Sequence, residues 1–215
     1  MKRLFALTYD RSMARMEKAG FREVRERSIA QATGDVLEIG GGTGSNLPYY
    51  GSGVTSLTIT EPYPPMLKRL EKKVREQGSP AEVVPAPAEE LPFEAGSFDT
   101  VVSTLVLCGV EDQPRALREI RRVLAPGGRY LGVERASPWL APFAEPEKRA
   151  LAARAQTQGT RERAIRYREW RAILEDAGLG AECLAPVPGA RVGAPWLRRL
   201  GNAARQIYVT IRVTR

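Results

Sequence analysis

The sequence predicts a doubly wound α/β domain built on a mostly parallel sheet, and three observations carry that prediction. Short apolar strands alternate with amphipathic segments of ten to fifteen residues, which implies crossover units covered on both faces. Val36-Leu37-Glu38-Ile39 reads as a buried strand and runs straight into Gly40-Gly41-Gly42-Thr43-Gly44. An acid, Glu61, then closes the following strand. A strand that ends in glycines and a second that ends in an acid are the marks of an open α/β sheet with a ligand at its carboxyl edge.

The elements follow in order. Between Ser12 and Ala30 the residues Met13, Met16, Phe21, Val24 and Ile29 recur at near-helical spacing, so a single amphipathic helix is expected. After the strand over 36–39 and its glycine turn, a helix should begin. Val54 to Thr60 is the second strand, and Pro64 to Gln77 is a charged helix opened by proline and closed by Gly78. Ala81 to Ala86 is a third strand and Phe98 to Thr104 a buried fourth. Pro114 to Leu124 is a helix stopped by Ala125-Pro126-Gly127-Gly128, and Arg129 to Glu134 is the fifth strand. Beyond Glu134 the rhythm breaks into a Pro- and aromatic-rich stretch and a basic helical one, read as an insertion over the sheet. Arg168 to Ala177 restores a helix capped by Gly178, and Cys183 to Val187 and Gln206 to Val213 bring the sheet to seven strands.

Composition narrows the chemistry. The 215 residues are 43% hydrophobic and 27% charged, the proportions of one globular domain. No apolar run approaches the ~18 residues of a membrane-spanning helix, and the basic then briefly apolar start is cut off by Thr8-Tyr9-Asp10-Arg11, so a cytoplasmic protein is expected. Cys108 and Cys183 are far apart and read as reduced thiols. The chain has no histidine, which excludes Ser-His-Asp hydrolases and His-ligated metal enzymes, and no metal site is expected. Its net charge of +8 is uneven: residues 1–31 carry +4, residues 32–114 carry −7 and residues 115–215 carry +11. An acidic ligand-binding middle with basic flanks, or an ordinary Arg-rich solvated surface, would both give this distribution.

The spacing of the glycines separates two ligands. Gly40, Gly42 and Gly44 fit G-x-G-x-G, whereas the dinucleotide fingerprint would place glycine at Ser45. Glu61 stands where an acid accepts hydrogen bonds from ribose hydroxyls, which implies a nucleoside. Glu38, just ahead of the glycines, would repel a pyrophosphate but suits a ligand bearing an ammonium and a sulfonium. S-adenosylmethionine has both.

Five motifs in order then establish a resemblance: Glu38 to Gly44, Glu61-Pro62-Tyr63-Pro64-Pro65-Met66-Leu67, Ala88-Glu89-Glu90-Leu91-Pro92-Phe93, Ser97-Phe98-Asp99, and Arg121 to Gly128. Over residues 36–134 the chain resembles the class I S-adenosylmethionine-dependent methyltransferases of the small-molecule type (methyltransferase type 11), with a Rossmann-like fold. Gly44-Ser45-Asn46-Leu47-Pro48-Tyr49-Tyr50 and Ser103 to Val110 are similar to the methyltransferase-like 7 thiol methyltransferases and to bacterial phospholipid and quinone methyltransferases. The resemblance implies that Gly40, Gly42 and Gly44 form the turn under the methionine part and that Glu38 holds its amino group, directly or through water. It also implies that Glu61 binds the ribose, Tyr63 and Met66 pack on the adenine, Ala88 and Glu89 lie at its edge, and Thr104 and Leu105 flank the methionine. Pro87 stands where many relatives have an Asp for the adenine amine, and Glu134-Arg135 where many have Glu-His.

The resemblance further divides the single domain 1–215 into an N-terminal helical lid (1–32), a cofactor-binding half (33–134), a substrate-facing insertion and C-terminal part (135–205) and a last strand (206–215). Methyl transfer from a sulfonium is an in-line displacement in which alignment supplies much of the acceleration, so no catalytic residue is named. A thiol, with an ordinary pKa of ~8.5, is partly ionised at neutral pH and needs least help. The expected acceptors are therefore small and apolar, with thiol, phospholipid amine and quinol in descending order. Two other readings stay open: a module that holds the cofactor without transfer, and a nicotinamide oxidoreductase. Tyr9 and Asp10 belong either to a lid or to a surface turn, Cys108 packs or faces the methyl group, and Tyr167 and Trp170 line an acceptor pocket or the core. Trp139 to Phe143 and Pro195 to Leu200 would allow peripheral contact with an anionic membrane or fold back on the sheet. No nucleic-acid partner is expected, and the oligomeric state is open.

Overall fold

The computed structural model describes residues 9–11, 13–136, 174, 176–186 and 207–214. The expected insertion over 137–173, including Tyr167 and Trp170, and the stretch 187–206 lie outside them. Strands β1 (Gly34–Ile39), β2 (Val54–Thr60), β3 (Glu82–Val84), β4 (Phe98–Thr104) and β5 (Leu124–Ala136) pair in parallel in the order β3-β2-β1-β4-β5. At the β5 edge β7 (Ile207–Thr214) runs antiparallel, and β6 (Gly180–Pro186) pairs antiparallel with β7. The chain winds outward from β1 to β3 and then returns to place β4 on the other side of β1. The order thus reverses between β1 and β4, and a crevice opens at their carboxyl ends.

Alternation along the strands sends successive side chains to opposite faces. Val36, Val102 and Leu131 pack on Ile29 of helix α1 (Arg22–Ile29), and Ile59 on the same face meets Leu70 and Val74 of α2 (Pro64–Glu76). On the opposite face Leu37, Ile39 and Val101 meet Leu117 and Ile120 of α3 (Gln113–Val123), all inaccessible to solvent. Each such side chain contributes about 1.5–3 kcal/mol of transfer free energy, so the sheet ends are held firmly. Helix α3 starts where Asp112 accepts from the Arg115 N–H at 3.0 Å.

Four expectations change, besides a sixth strand that begins at Gly180 rather than Cys183. The helix predicted from Ser12 to Ala30 is interrupted by a π-turn, Glu17–Phe21, because Gly20 sits at φ 106° and breaks the helical path before α1. No α-helix follows the glycine turn; only a 3₁₀ turn, Leu47–Tyr49, forms, since Pro48, Gly51 and Gly53 interrupt any longer one. The third strand shrinks to Glu82–Val84. The fifth begins at Leu124 rather than Arg129, because Leu124 already pairs with Phe98 and the Ala125 to Gly128 stretch bulges before Arg129 pairs with Thr100. Among the described residues no helix is long and apolar enough to cross a membrane.

Candidate active site

The crevice between β1 and β4 is a cavity of about 690 Å³, within the range of small-ligand sites. Gly40 and Gly42 line it from β1, and both need positive φ, at 63° and 59°. A Cβ on Gly40 would stand 2.7 Å from a Val106 methyl, so this turn and the loop after β4 pack as closely as glycine allows. Glu61, Tyr63 and Met66 line the cavity from the end of β2 and the start of α2. Ala88 and Glu89 approach from the loop after β3, and Thr104 and Leu105 from the end of β4. Nine of the eleven residues singled out in the sequence therefore meet at one cavity. Glu38 and Gly44 are the other two. Gly44, at φ 77°, turns against Leu47, Leu70 and Lys73.

The acids at this site act first on the backbone. Glu61, 7% exposed, accepts from the Gly42 N–H and the Tyr63 N–H, each at 2.9 Å, and so ties the glycine turn to the start of α2. Burial raises its pKa, opposed by those two N–H bonds. Each carboxylate oxygen keeps a further lone pair for a ligand hydroxyl. Glu89 accepts from the Glu111 N–H at 2.8 Å and holds the far end of the loop before α3.

Glu38 lies behind the cavity, only 2% exposed. Its oxygens accept from Asn46 Nδ2 at 2.8 Å and from the Tyr50 hydroxyl at 2.7 Å, and Asn46 also reaches Thr104 Oγ1 at 3.1 Å. Arg25 on α1 donates through Nη1 to Asn46 Oδ1 and through Nε to Glu17 at 2.8 Å, with its guanidinium 4.9 Å above the Phe21 ring. Burial pushes the Glu38 carboxyl up to about 7, opposed by Tyr50, Arg25 and Asn46. Arg25 escaped the sequence reading. Its signal is a lone charge on the buried stripe Phe21, Val24, Ser28 and Ile29, where a buried cation demands partners.

Tyr9 also lines the cavity, its hydroxyl 3.4 Å from where a Gly42 Cβ would be. Burial raises its pKa, opposed by the Arg25 charge. Asp10 accepts from Thr43 Oγ1 at 2.9 Å and pairs with Arg69 at 2.8 Å, so the N-terminal segment is fastened to both the glycine turn and α2. Cys108 is a buried thiol that donates to the Leu105 carbonyl at 3.5 Å. Among the described residues no cluster of acidic, cysteine or histidine side chains could hold a metal ion.

A cavity at the switch point of a parallel sheet, with a glycine turn on one side and a strand-end acid on the other, is the place where such folds hold a nucleoside-bearing ligand. Residues 37–132 match the family described as a methyltransferase domain. The chain is 37% identical over 133 residues to thiol S-methyltransferase TMT1A of Homo sapiens, covering 60% of this chain and 54% of that protein. It is 38% identical over 108 residues to the ubiquinone/menaquinone biosynthesis C-methyltransferase UbiE of Idiomarina loihiensis, covering 48% and 43%. The chain spans about half the length of these curated relatives. Among solved structures it is similar in fold to a Thermotoga maritima S-adenosylmethionine-dependent methyltransferase titled a possible histamine N-methyltransferase. There the TM-score is 0.66 at 21% identity, over 100% of this chain and 99% of that one. The match to the methyltransferase domain thus spans the strands and loops that build the cavity, and the structural likeness covers the fold.

Proposed function

We propose that the protein transfers the methyl group of S-adenosylmethionine to a small apolar acceptor, with a thiol ahead of a phospholipid amine or a quinol. The carrying observation is the cavity itself: acids and glycines line it on the β1 and β2 side, and on the β4 side Leu105, Val106 and Val110 form an apolar patch between Thr104 and the acids Glu111 and Asp112. In this reading Glu61 takes the ribose hydroxyls, and Tyr63 and Met66 shelve the adenine with Ala88 and Glu89 at its edge. Gly40 and Gly42 let the methionine part approach the backbone, with Gly44 completing their turn. Thr104 and Leu105 flank the reacting end. Glu38 acts through Asn46, which links it to Thr104.

The cofactor, when bound, supplies a methyl group already activated on a sulfonium. What remains for the chain is to orient the acceptor, exclude water and favour an anionic nucleophile. Tyr9, largely buried, closes the cavity from the N-terminal side, which fits a lid over 1–32. The basic segment 135–205 would then face the acceptor. A thiol entering as thiolate needs no base at this site. The homology to a thiol methyltransferase supports that order, as does the apolar β4 wall. The test is S-adenosylhomocysteine release from S-adenosylmethionine with 1-hexanethiol, phosphatidylethanolamine vesicles or a reduced benzoquinone, against a blank without acceptor. Release with the thiol above the other two is expected, and tight cofactor binding with no release from any acceptor would overturn the reading.

A further inference from the structure

A second buried acid lies beneath the apolar wall of the cavity, and no ligand role uses it. Glu134, near the end of β5, is inaccessible to solvent. Its Oε1 accepts from Ser103 Oγ at 2.8 Å and from the Val106 and Leu107 N–H groups at 3.2 Å each. Ser103 in turn shares a 2.7 Å hydrogen bond with the Tyr130 hydroxyl, while Glu134 Oε2 is buried with no partner. The bonds converge because of one backbone feature. Leu105, whose N–H still bonds to the Val133 carbonyl at 2.8 Å, adopts φ 59°, and this left-handed step turns the next two N–H groups back towards the sheet. A leucine in that region costs about 1–3 kcal/mol, so something must hold it there. A carboxyl oxygen that gathers successive N–H groups is suited to that task, because it satisfies donors that would otherwise be buried without acceptors.

The residues so placed are those that form the wall. Leu105 and Val106 both line the cavity, and the Val106 side chain presses on Gly40. The far end of the same loop is fixed separately by Glu89, at the Glu111 N–H. We infer that Glu134 is a positioning residue for the methyl acceptor: by collecting the N–H groups that follow Leu105 it sets where Leu105 and Val106 stand, and so the shape of the apolar side of the cavity. It acts through the loop and touches neither cofactor nor acceptor. The inference rests on the methyl-transfer reading for its consequence, but its structural half can be tested alone.

The experiment compares the full-length protein with Glu134→Asp, one methylene too short to reach the loop, and Glu134→Gln, which keeps an accepting oxygen. Amide hydrogen exchange at Val106 and Leu107 should accelerate by about tenfold or more in Glu134→Asp, with part of the protection regained in Glu134→Gln, while the Gly42 amide is unchanged. Calorimetric affinity for S-adenosylhomocysteine should fall by much less than turnover does, because the bonds of Glu61 to Gly42 and Tyr63 are untouched although Val106 packs on Gly40. With 1-hexanethiol as acceptor, kcat/KM should fall about tenfold or more in Glu134→Asp through the acceptor KM and kcat together. Unchanged exchange at Val106 and Leu107, or a loss of cofactor affinity in step with the loss of turnover, would overturn the assignment. If wild-type protein does not turn over the thiol, the acceptor reading fails by itself, and the exchange and affinity measurements still decide the role of Glu134.

Discussion

Removing the carboxylate of Glu61 tests the cofactor half of the cavity most directly. In Glu61→Ala, two backbone donors, the Gly42 and Tyr63 N–H groups now held at 2.9 Å, lose their acceptor, and so would both ribose hydroxyls. A hydrogen bond to a charged group is worth about 1.5–3 kcal/mol, so losing even one ribose bond weakens binding about tenfold or more. Loosening of the glycine turn adds to this, and a loss of about a hundredfold is the expected value for two bonds. The same change leaves two donors without their partner and should cost about 1–3 kcal/mol of stability, which for a chain of this length lowers Tm by a few degrees. Glu61→Gln separates the contributions, because its one oxygen can serve the Gly42 or the Tyr63 N–H but carries no charge. Its affinity should fall between wild type and Glu61→Ala. Titration calorimetry with S-adenosylhomocysteine, on protein whose circular dichroism shows an intact fold, gives the numbers. An affinity in Glu61→Ala within threefold of wild type would refute the reasoning and remove Glu61 from the binding site.

Two further outcomes follow from the buried charges behind the cavity. Arg25→Met leaves Glu17 and the Asn46 carbonyl without their guanidinium, and breaking such a buried pair from one side costs about 3–5 kcal/mol; urea unfolding that shows less than 1 kcal/mol would contradict the network. Burial raises Glu38 and Glu134 from the usual 4.5 to about 7, with Arg25, Lys73 and Tyr50 acting on the first and Tyr130 beside the second. Between those values the folded chain keeps protons that the unfolded chain releases, so these two acids make stability fall as pH rises from about 4.5 to 7 and level off above. The urea midpoint of wild type relative to Glu38→Gln should therefore drop across that window, and a difference that rises with pH would reverse the sign of the argument.

The sheet was legible because its strands obey local rules. Val36 to Ile39 and Val101 to Val102 centre two short strands on apolar residues of both faces, which burial between two helical layers satisfies. Nine of the eleven proposed site residues converge for the same reason: a strand-end glycine or acid in a parallel sheet is already at the carboxyl edge. What sequence could not supply were contacts made between distant elements. Arg25 and Asn46 are 21 positions apart, and Glu134 and Val106 are 28 apart, so nothing in either local pattern announces the pairing. The helix expected after the glycines failed to form because Pro48, Gly51 and Gly53 outweigh the general tendency of that turn to open a helix. Gly20 could be seen, but only the tertiary path shows that it breaks the helix rather than being tolerated within it.

A chain without histidine still has to organise a reactive site, and here carboxylates do so by acting on backbone donors. Glu61 holds the glycine turn, Glu134 the start of the loop after β4, and Glu89 its end. Each acid therefore fixes one wall of the cavity before any ligand arrives, which is the preorganisation that a displacement governed by alignment requires. The arrangement also has a sign. Glu61, Glu89, Glu90, Glu111 and Asp112 line the cavity, against Arg115, which is itself paired with Glu90 at 3.2 Å. That excess favours a cationic sulfonium and disfavours the two negative charges of a pyrophosphate, so the structure weighs against the nicotinamide reading on the same ground as Glu38 does in the sequence. It bears on turnover as well. In the proposed reaction, transfer of the methyl group would remove the sulfonium charge, so acids that attract the cofactor would hold its product less strongly.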